Sequence, residues 1–176
     1  MHDICILYAS QYGSTRAYAH WLAEALGAGC YDIRQANAGA LAAADTVLLC
    51  GGLYAGWMNG AKFAPKHADT LKSKRLAFVA VGASPVTADT LEAVRTGYLP
   101  EGWRDRPCFY LRGGLDVPNM KWGHRAMMNL LRRTLLKKPA EQRTEWEVGL
   151  LASYDGAHDW TDVAAIQPIV QWARAQ

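Results

Sequence analysis

The sequence lacks several features that would assign the chain to common functional classes. Its apolar runs, of which 76–81 is among the longest, fall far short of the roughly 20 residues that a membrane span requires. Residues 1–3 lead directly into a strand-like run, so we expect no signal peptide. The four cysteines stand singly, without a C-x-x-C pair, which excludes the usual zinc and dithiol motifs. We expect them to be small buried side chains in a reducing cytoplasm.

Composition indicates a folded chain. Hydrophobic residues make up 51% and charged residues 20% of the 176 residues, so the chain has enough apolar surface to offset chain entropy. We expect one domain spanning 1–176. The net charge of +3 is small for a protein that binds nucleic acid, and no known nucleic-acid-binding motif accompanies it.

Short apolar runs alternate with stretches of helical periodicity. The predicted strands are 4–9, 30–33, 46–50, 76–81 and 107–111, and the predicted helices are 15–26, 61–71, 87–98 and 162–175, the last kinked or delayed by Pro168. This alternation predicts an α/β doubly wound parallel sheet. Ligands in such sheets bind beyond the carboxyl ends of the strands.

The loop after the first strand has the composition of a phosphate site. It combines three hydroxyl side chains, one glycine and a helix start, in the run Ser10, Gln11, Tyr12, Gly13, Ser14, Thr15. Helix N–H groups and hydroxyls attract an anion. A Walker A motif and a dinucleotide fingerprint are both absent. A phosphomonoester held by neutral donors is one interpretation, and a simple helix cap is the other.

This run resembles the phosphate loop of flavodoxins, written [ST]-x-T-G-x-T, with Ser10, Gly13 and Thr15 matching and Tyr12 in place of threonine. The resemblance implies FMN as the cofactor. It also implies a flavodoxin-like, five-stranded sheet of order 2-1-3-4-5, with a long insertion after the fifth strand over 113–161.

Two further loops would then border the flavin ring. The glycine-rich loop 51–60 offers aromatic and sulfur side chains, and the ring-binding residues expected there are Tyr54, Ala55, Gly56, Trp57, Met58 and Asn59. The alternative is that Trp57 and Met58 pack inward. After the fourth strand, Gly82, Ala83 and Ser84 would flank the ring, with Gly114 also near the cofactor. This third loop has no carboxylate, unlike the acidic surroundings of flavin in electron carriers.

The insertion contains a basic helix. Residues 121–143 hold seven Lys and Arg but only one acidic residue, Glu141. Helical periodicity places Met127, Met128, Leu131 and Leu135 on one face, with Arg125, Arg132 and Arg133 roughly opposite. The helix would start after Gly123 and stop at Pro139. Either its apolar face packs on the core while its basic face is solvated, or the basic residues contact anionic lipid or an acidic substrate.

The order of motifs resembles a narrower family, the menaquinone-dependent protoporphyrinogen IX dehydrogenases. The motifs are residues 47–52, the run Pro65-Lys66-His67-Ala68, the segment from Gly113 to Lys121-Trp122, and residues 159–163. The resemblance implies an FMN enzyme that oxidises a reduced organic substrate and reduces a quinone. Substrate or membrane contacts would then come from Lys121, Trp122, Arg125, Arg132 and Arg133.

Three functional hypotheses follow. The first is this FMN-dependent oxidoreductase, cytoplasmic or peripheral on the inner face of the cytoplasmic membrane, with the flavin performing the chemistry and no metal or acid–base catalyst assigned. The second is a one-electron carrier, and the third is a non-enzymatic domain that binds a partner or membrane. Among the five histidines, only His124 lies beside these features. A second apolar strip at Leu130 and Leu136 suggests a homodimer through the insertion.

Overall fold

The structure is a computed structural model that describes residues 3–54 and 57–175. Strands and helices alternate along its first two thirds, as predicted. In chain order they are β1 (Ile4–Ala9), α1 (Ser14–Leu26), β2 (Gly29–Asp32), α2 (Ala38–Ala43), β3 (Thr46–Tyr54), β4 (Trp57–Met58), α3 (Phe63–Lys66), α4 (Ala68–Leu71), β5 (Arg75–Gly82), α5 (Ala88–Gly97) and β6 (Cys108–Arg112).

Five of these strands form a parallel sheet in the order β2-β1-β3-β5-β6. In its centre Ile6 pairs with Leu48, and Leu48 pairs with Ala77. When the two-residue β4 is left out of the numbering, this is the predicted order 2-1-3-4-5, which is confirmed. The order places the carboxyl ends of β1, β3 and β5 side by side, so the three loops that the sequence singled out meet at one edge.

The insertion is a small unit of mixed structure. It consists of β7 (Gly114–Asp116), α6 (Trp122–Lys137), α7 (Glu145–Ala152) and β8 (Ala157–Asp159), and α8 (Gln167–Arg174) ends the chain. Strands β7 and β8 pair antiparallel, with Leu115 opposite His158. The sequence predicted only helix here, because three-residue strands are too short to show an alternating pattern. The unit buries its own apolar cluster, which includes Leu115, Leu135 and Leu150.

The sheet has a buried core on each face because its strands alternate side chains between the two. Leu7, Leu49 and Phe78 belong to one core, together with residues of α2 and α5 such as Leu41 and Val94. On the opposite face, Ile6, Leu48 and Val79 pack against α1 and α8 through residues such as Leu22 and Ile169. Helices therefore cover both faces, as the predicted doubly wound architecture requires.

Strand β3 continues beyond its predicted end at Cys50 to Tyr54, so half of the predicted loop 51–60 is strand. The chain then turns back, and the Asn59 N–H donates to the Gly52 carbonyl at 2.9 Å. A Cβ on Gly51 would collide with the Asn59 carbonyl oxygen, so glycine is required for this close return. Gly51, which contributed to the loop prediction, instead allows β4 to return close beside β3.

Three helix boundaries also differ from the predictions. The predicted helix 61–71 is split into α3 and α4, because His67 leaves the helical region at φ −116° and ψ 32°. Helix α6 begins at Trp122, before Gly123. Pro168 lies in the first turn of α8 after a 3-10 turn at Val163–Ile166, so it delays that helix without kinking it.

None of the helices in the described ranges has the length and apolarity needed to cross a membrane. The four cysteines are free thiols, and burial raises the pKa of Cys30 and of Cys108 to about 11. Burial therefore keeps these thiols protonated, as the prediction that they are inert requires.

Candidate functional site

The predicted phosphate loop connects β1 to α1. Gly13 adopts a left-handed φ of +106°, and its N–H donates to Ser10 Oγ at 3.2 Å. Helix α1 then begins at Ser14 without a hydrogen bond from any described side chain to its first turn. An α-helix leaves its first N–H groups without internal partners, so this start retains donors for an anion.

The two hydroxyls at the start of α1 have different surroundings. Ser14 Oγ accepts a hydrogen bond from the Gly114 N–H at 3.0 Å, so it joins the loop to β7 and keeps one hydrogen for donation. Thr15 is buried. The structure therefore brings Ser14 and Gly114 together, two predicted cofactor residues that lie a hundred positions apart.

Two arginines lie beside the phosphate loop that the sequence prediction did not include. A polar pocket of about 310 Å³ is lined by Ser10, Gly13, Arg16, Asp32 and Arg34, among others. Asp32 accepts from Arg34 at 2.7 Å, and this hydrogen bond lowers the pKa of the Asp32 carboxyl. Arg34 follows β2, and the parallel pairing of β1 and β2 places the end of β2 beside the loop after β1. The phosphate loop therefore has two arginines beside it in addition to the predicted neutral donors.

The hairpin formed by β3 and β4 contributes only some of the predicted ring-binding residues. Trp57 is half exposed, and its Nε1–H donates to Asn59 Oδ1 at 3.2 Å. Met58 is buried in the core beneath β3, so the inward-packing alternative is correct for Met58 and it does not border an open ring site. The predicted Ala55 and Gly56 lie outside the described residues.

Tyr54 faces the phosphate loop. Its ring centroid lies 5.8 Å from that of Tyr12. Burial raises the pKa of Tyr54 to about 12, while the backbone N–H of Gln11 acts in the opposite direction. The phenol therefore stays protonated and lies close to the loop amides.

The third predicted loop is held by the neighbouring strand. The Ser84 carbonyl accepts from the Tyr110 hydroxyl at 2.9 Å, and the Ala83 carbonyl accepts from Arg112 Nε at 3.2 Å. The Gly82 carbonyl accepts from the Gly113 N–H at 2.7 Å. Because all three carbonyls already have partners, the loop is a fixed wall rather than a flexible flap.

An apolar cavity of about 320 Å³ opens between the three loops and the insertion. The sheet edge contributes Ser14, Thr15, Tyr54, Gly82, Ala83, Ser84 and Gly114 to its lining. The insertion contributes Met120, His124, Met127, Met128, Leu131, Trp146 and Leu150. The size lies within the range of small-molecule sites, and the lining is mainly apolar with a few polar groups.

His124 closes this cavity at its junction with the phosphate loop. Its Nδ1 lies 2.5 Å from the Tyr12 hydroxyl, and its ring stacks on Tyr54 with centroids 5.9 Å apart and planes at 27°. The sequence indicated His124 only by its position in the insertion. A helical pattern does not show which loop an inserted helix will contact.

The basic residues of the insertion divide into two groups. Lys121, Trp122 and Arg133 are exposed, and Arg125 is exposed although its Nη1 donates to the Pro118 carbonyl at 3.2 Å. Arg132 is different, because its guanidinium lies 4.6 Å from the Tyr154 ring centroid and pairs with Asp155 at 3.4 Å. Arg132 therefore has partners within the insertion, while its predicted contact with substrate or membrane stays a prediction.

Two other cations of the basic segment also have partners within the insertion. Lys138 pairs with Glu147 at 2.8 Å. Arg143 Nε donates to the Leu135 carbonyl at 3.1 Å, near the end of α6. The Lys138–Glu147 pair reduces the net charge that the insertion presents to a ligand, whereas the Arg143 bond fixes the position of that guanidinium.

A family model described as a flavodoxin domain matches residues 5–142. The chain belongs to the flavodoxin domain family. Membership confirms the predicted flavodoxin-like fold and indicates FMN as the cofactor. No curated protein matches the chain in sequence.

Three solved structures are similar to the chain at low identity. A protein from Bacteroides eggerthii, described as a flavoprotein from its sequence, is 13% identical with a TM-score of 0.47, covering 62% of this chain and 86% of its own. A flavodoxin from the domain Archaea is 11% identical with a TM-score of 0.42, covering 63% and 85%. The Trp repressor binding protein from Bacillus subtilis is 13% identical with a TM-score of 0.41, covering 63% and 83%.

The donors of this flavodoxin domain fit FMN. The phosphate requires donors, and the start of α1 provides N–H groups that no described side chain caps, together with the flanking Arg16. The flavin ring requires a flat apolar space, and the cavity beside Tyr54 and Gly82 provides one. A Cβ on Gly82 would lie 2.9 Å from the Tyr110 hydroxyl, so glycine keeps this wall thin.

Proposed function

We propose that the chain is an FMN-dependent oxidoreductase that passes electrons from a reduced organic substrate to a quinone. The observation that supports this most is the composition of the cavity. Its lining joins predicted cofactor residues, such as Ser14 and Gly82, to insertion side chains such as Met128 and Leu131. A simple electron carrier needs an exposed ring edge for its partner, whereas an enzyme needs side chains beside the flavin that could contact a substrate.

The residues of the chain would bind, orient and exclude water. When bound, FMN supplies hydride acceptance from a substrate and electron transfer to an acceptor. The N–H groups at the start of α1 would hold the phosphate, and the fixed loop at Gly82–Ser84 would set the position of the ring. The apolar insertion side chains, Met127 and Leu131 among them, would keep water from the reacting face. We assign no acid or base among the residues.

The reduced substrate that we propose is an organic molecule with anionic groups, for which protoporphyrinogen IX is the specific candidate. Support comes from the resemblance carried by the Gly113 to Trp122 segment, and from the exposed cations Lys121 and Arg125 near the cavity-lining Met120 and His124. Guanidinium and ammonium groups bind carboxylates through charge-assisted hydrogen bonds, so these two residues would contact propionate groups.

We also propose that the outer face of α6 contacts an anionic membrane surface. Trp122 is 83% exposed and follows the exposed Lys121, and Leu130 is 66% exposed and lies one turn before Arg133 and two turns before Lys137, which are also exposed. An apolar strip flanked by cations is typical of helices that lie in the lipid headgroup region. Such contact would bring the cavity close to a lipid-soluble quinone.

The test is a spectroscopic titration followed by a redox assay. Purified protein is titrated with FMN, the bound flavin is reduced under anaerobic conditions, and a naphthoquinone is added. We expect a shifted flavin spectrum at micromolar FMN, followed by reoxidation at least tenfold faster than that of free reduced FMN. Rapid reoxidation only by a one-electron acceptor would favour the carrier, and an unchanged FMN spectrum would contradict both enzyme and carrier.

A further inference from the structure

The insertion contacts the cofactor loops through a small aromatic cluster formed by Tyr12, Tyr54 and His124. The ring centroids of the three residues lie 5.8 to 5.9 Å apart in each pair. Tyr12 belongs to the phosphate loop, Tyr54 ends β3, and His124 lies in the first turn of α6. Three separate parts of the chain therefore meet at this point.

The hydrogen bond in this cluster joins the Tyr12 hydroxyl to the His124 ring. Tyr12 Oη lies 2.5 Å from His124 Nδ1, so with the ring hydrogen on Nε2 the phenol donates and the imidazole accepts. The His124 ring stacks on Tyr54 at the same time. Tyr12 is partly exposed at 41%, so its ring is not held in place by burial alone.

Few other polar contacts join the insertion to the sheet edge among the described residues. One is the bond from the Gly114 N–H to Ser14 Oγ, and another is the backbone bond from the Gly113 N–H to the Gly82 carbonyl. Both lie at the neck of the insertion, where β7 begins. The Tyr12–His124 bond is the contact where the start of α6 approaches the phosphate loop.

We propose that His124 is a positioning residue that holds the start of α6 against the phosphate loop, through its bond to Tyr12 and its stack on Tyr54, and so fixes the wall that the insertion gives to the cavity. The inference rests on the proposed function and deepens it, because this cavity is where substrate would meet the flavin. The usual flavodoxin motif has threonine at position 12, which is too short to reach a helix across the cavity. The longer side chain of Tyr12 in this chain reaches His124 of the insertion.

Hydrogen exchange over residues 122–129 tests the inference without any turnover. We expect Y12F and H124F each to raise exchange there about fivefold, the factor for one hydrogen bond. The double variant should exchange no faster than either single variant, since both remove the same bond. H124N keeps an acceptor near the position of Nδ1 and should stay closer to the unmodified protein than H124F does. The matched control is H20F, because His20 lies beside Tyr8 with ring centroids 5.8 Å apart, away from the insertion.

Kinetics of the FMN-bound protein give a second readout. H124F should raise the KM for a naphthoquinone more than it lowers kcat, because a cavity wall that is no longer held in place binds substrate less well. Y12F alters the phosphate loop, so its FMN affinity is measured alongside. Exchange within twofold of the unmodified protein in both single variants would overturn the inference, and so would additive effects in the double variant. If the unmodified protein does not reduce the quinone, the proposed function fails, while the exchange result still decides the role of His124.

Discussion

At the scale of single residues, the position of Arg16 is explained better by a bound phosphate than by the stability of the helix. A cation in the first turn of a helix is disfavoured by the positive end of the helix dipole. Arg16 nevertheless lies in the first turn of α1 and lines the polar pocket with Ser10 and Gly13. We infer that this residue serves the phosphate and not the helix.

We therefore expect Arg16→Gln to weaken FMN binding by about three- to tenfold, the effect of one exposed charge-assisted contact. Riboflavin has no phosphate, so its dissociation constant should change less than twofold. Both are measured by quenching of flavin fluorescence. Arg95→Gln removes one charge from α5 and serves as the control. Equal losses for FMN and riboflavin would place Arg16 away from the phosphate.

The same scale shows where sequence reasoning reached the site and where it stopped. Ser10, Gly13 and Thr15 were identifiable because a phosphate loop is a short continuous motif. Arg34 was not identified, because the prediction considered only the residues of the loop itself, although the predicted strand order already placed the second strand beside the first. The partners of Arg132 were not identified either, because helical periodicity cannot show that Tyr154 packs against α6.

At the scale of elements, α6 presents two different faces. Its inner face contributes His124, Met128 and Leu131 to the cavity, while its outer face carries Leu130, Arg133 and Lys137 in the open. The helix itself was predictable from its apolar spacing. The ribbon of β7 and β8 that anchors it was not, because three residues per strand give no periodic signal.

The outer face makes the membrane proposal testable. The double variant R133Q/K137Q should weaken binding to vesicles that contain anionic lipid by up to about thirtyfold, since each cation near such a surface contributes ~1 kcal/mol. Co-sedimentation measures the binding, and the effect should diminish as salt is raised. K72Q/R95Q removes two charges elsewhere and should bind normally. Vesicle binding that is the same for all three proteins, or that does not depend on anionic lipid, would contradict the proposal.

At the scale of the whole molecule, the charge of the insertion is more balanced than its basic segment 121–143 indicates. Residues 121–143 hold seven basic residues and one acidic residue, but the complete insertion over 113–161 holds seven basic and six acidic residues. The fold pairs Lys138 with Glu147 and Arg132 with Asp155. The positive charge that remains in the open is therefore concentrated on the outer face of α6 rather than spread over the insertion.

The strands, by contrast, were predictable because buried parallel strands have dense apolar runs, and the resemblance to flavodoxins supplied their order. That order brings the phosphate loop, Tyr54 and Gly82 to one edge, and the insertion adds apolar side chains beside it. The central claim is that these insertion side chains form the substrate site of this flavodoxin domain.

A matched pair of substitutions in α6 tests this claim most directly. Leu131 lines the cavity, whereas the adjacent Leu130 is exposed. We measure kcat/KM for naphthoquinone reduction, with FMN affinity determined in parallel, for Leu131→Trp and Leu130→Trp. Filling the cavity should lower kcat/KM at least tenfold in Leu131→Trp, while Leu130→Trp keeps its activity and both variants keep FMN. Equal kcat/KM values for the two variants would contradict the account.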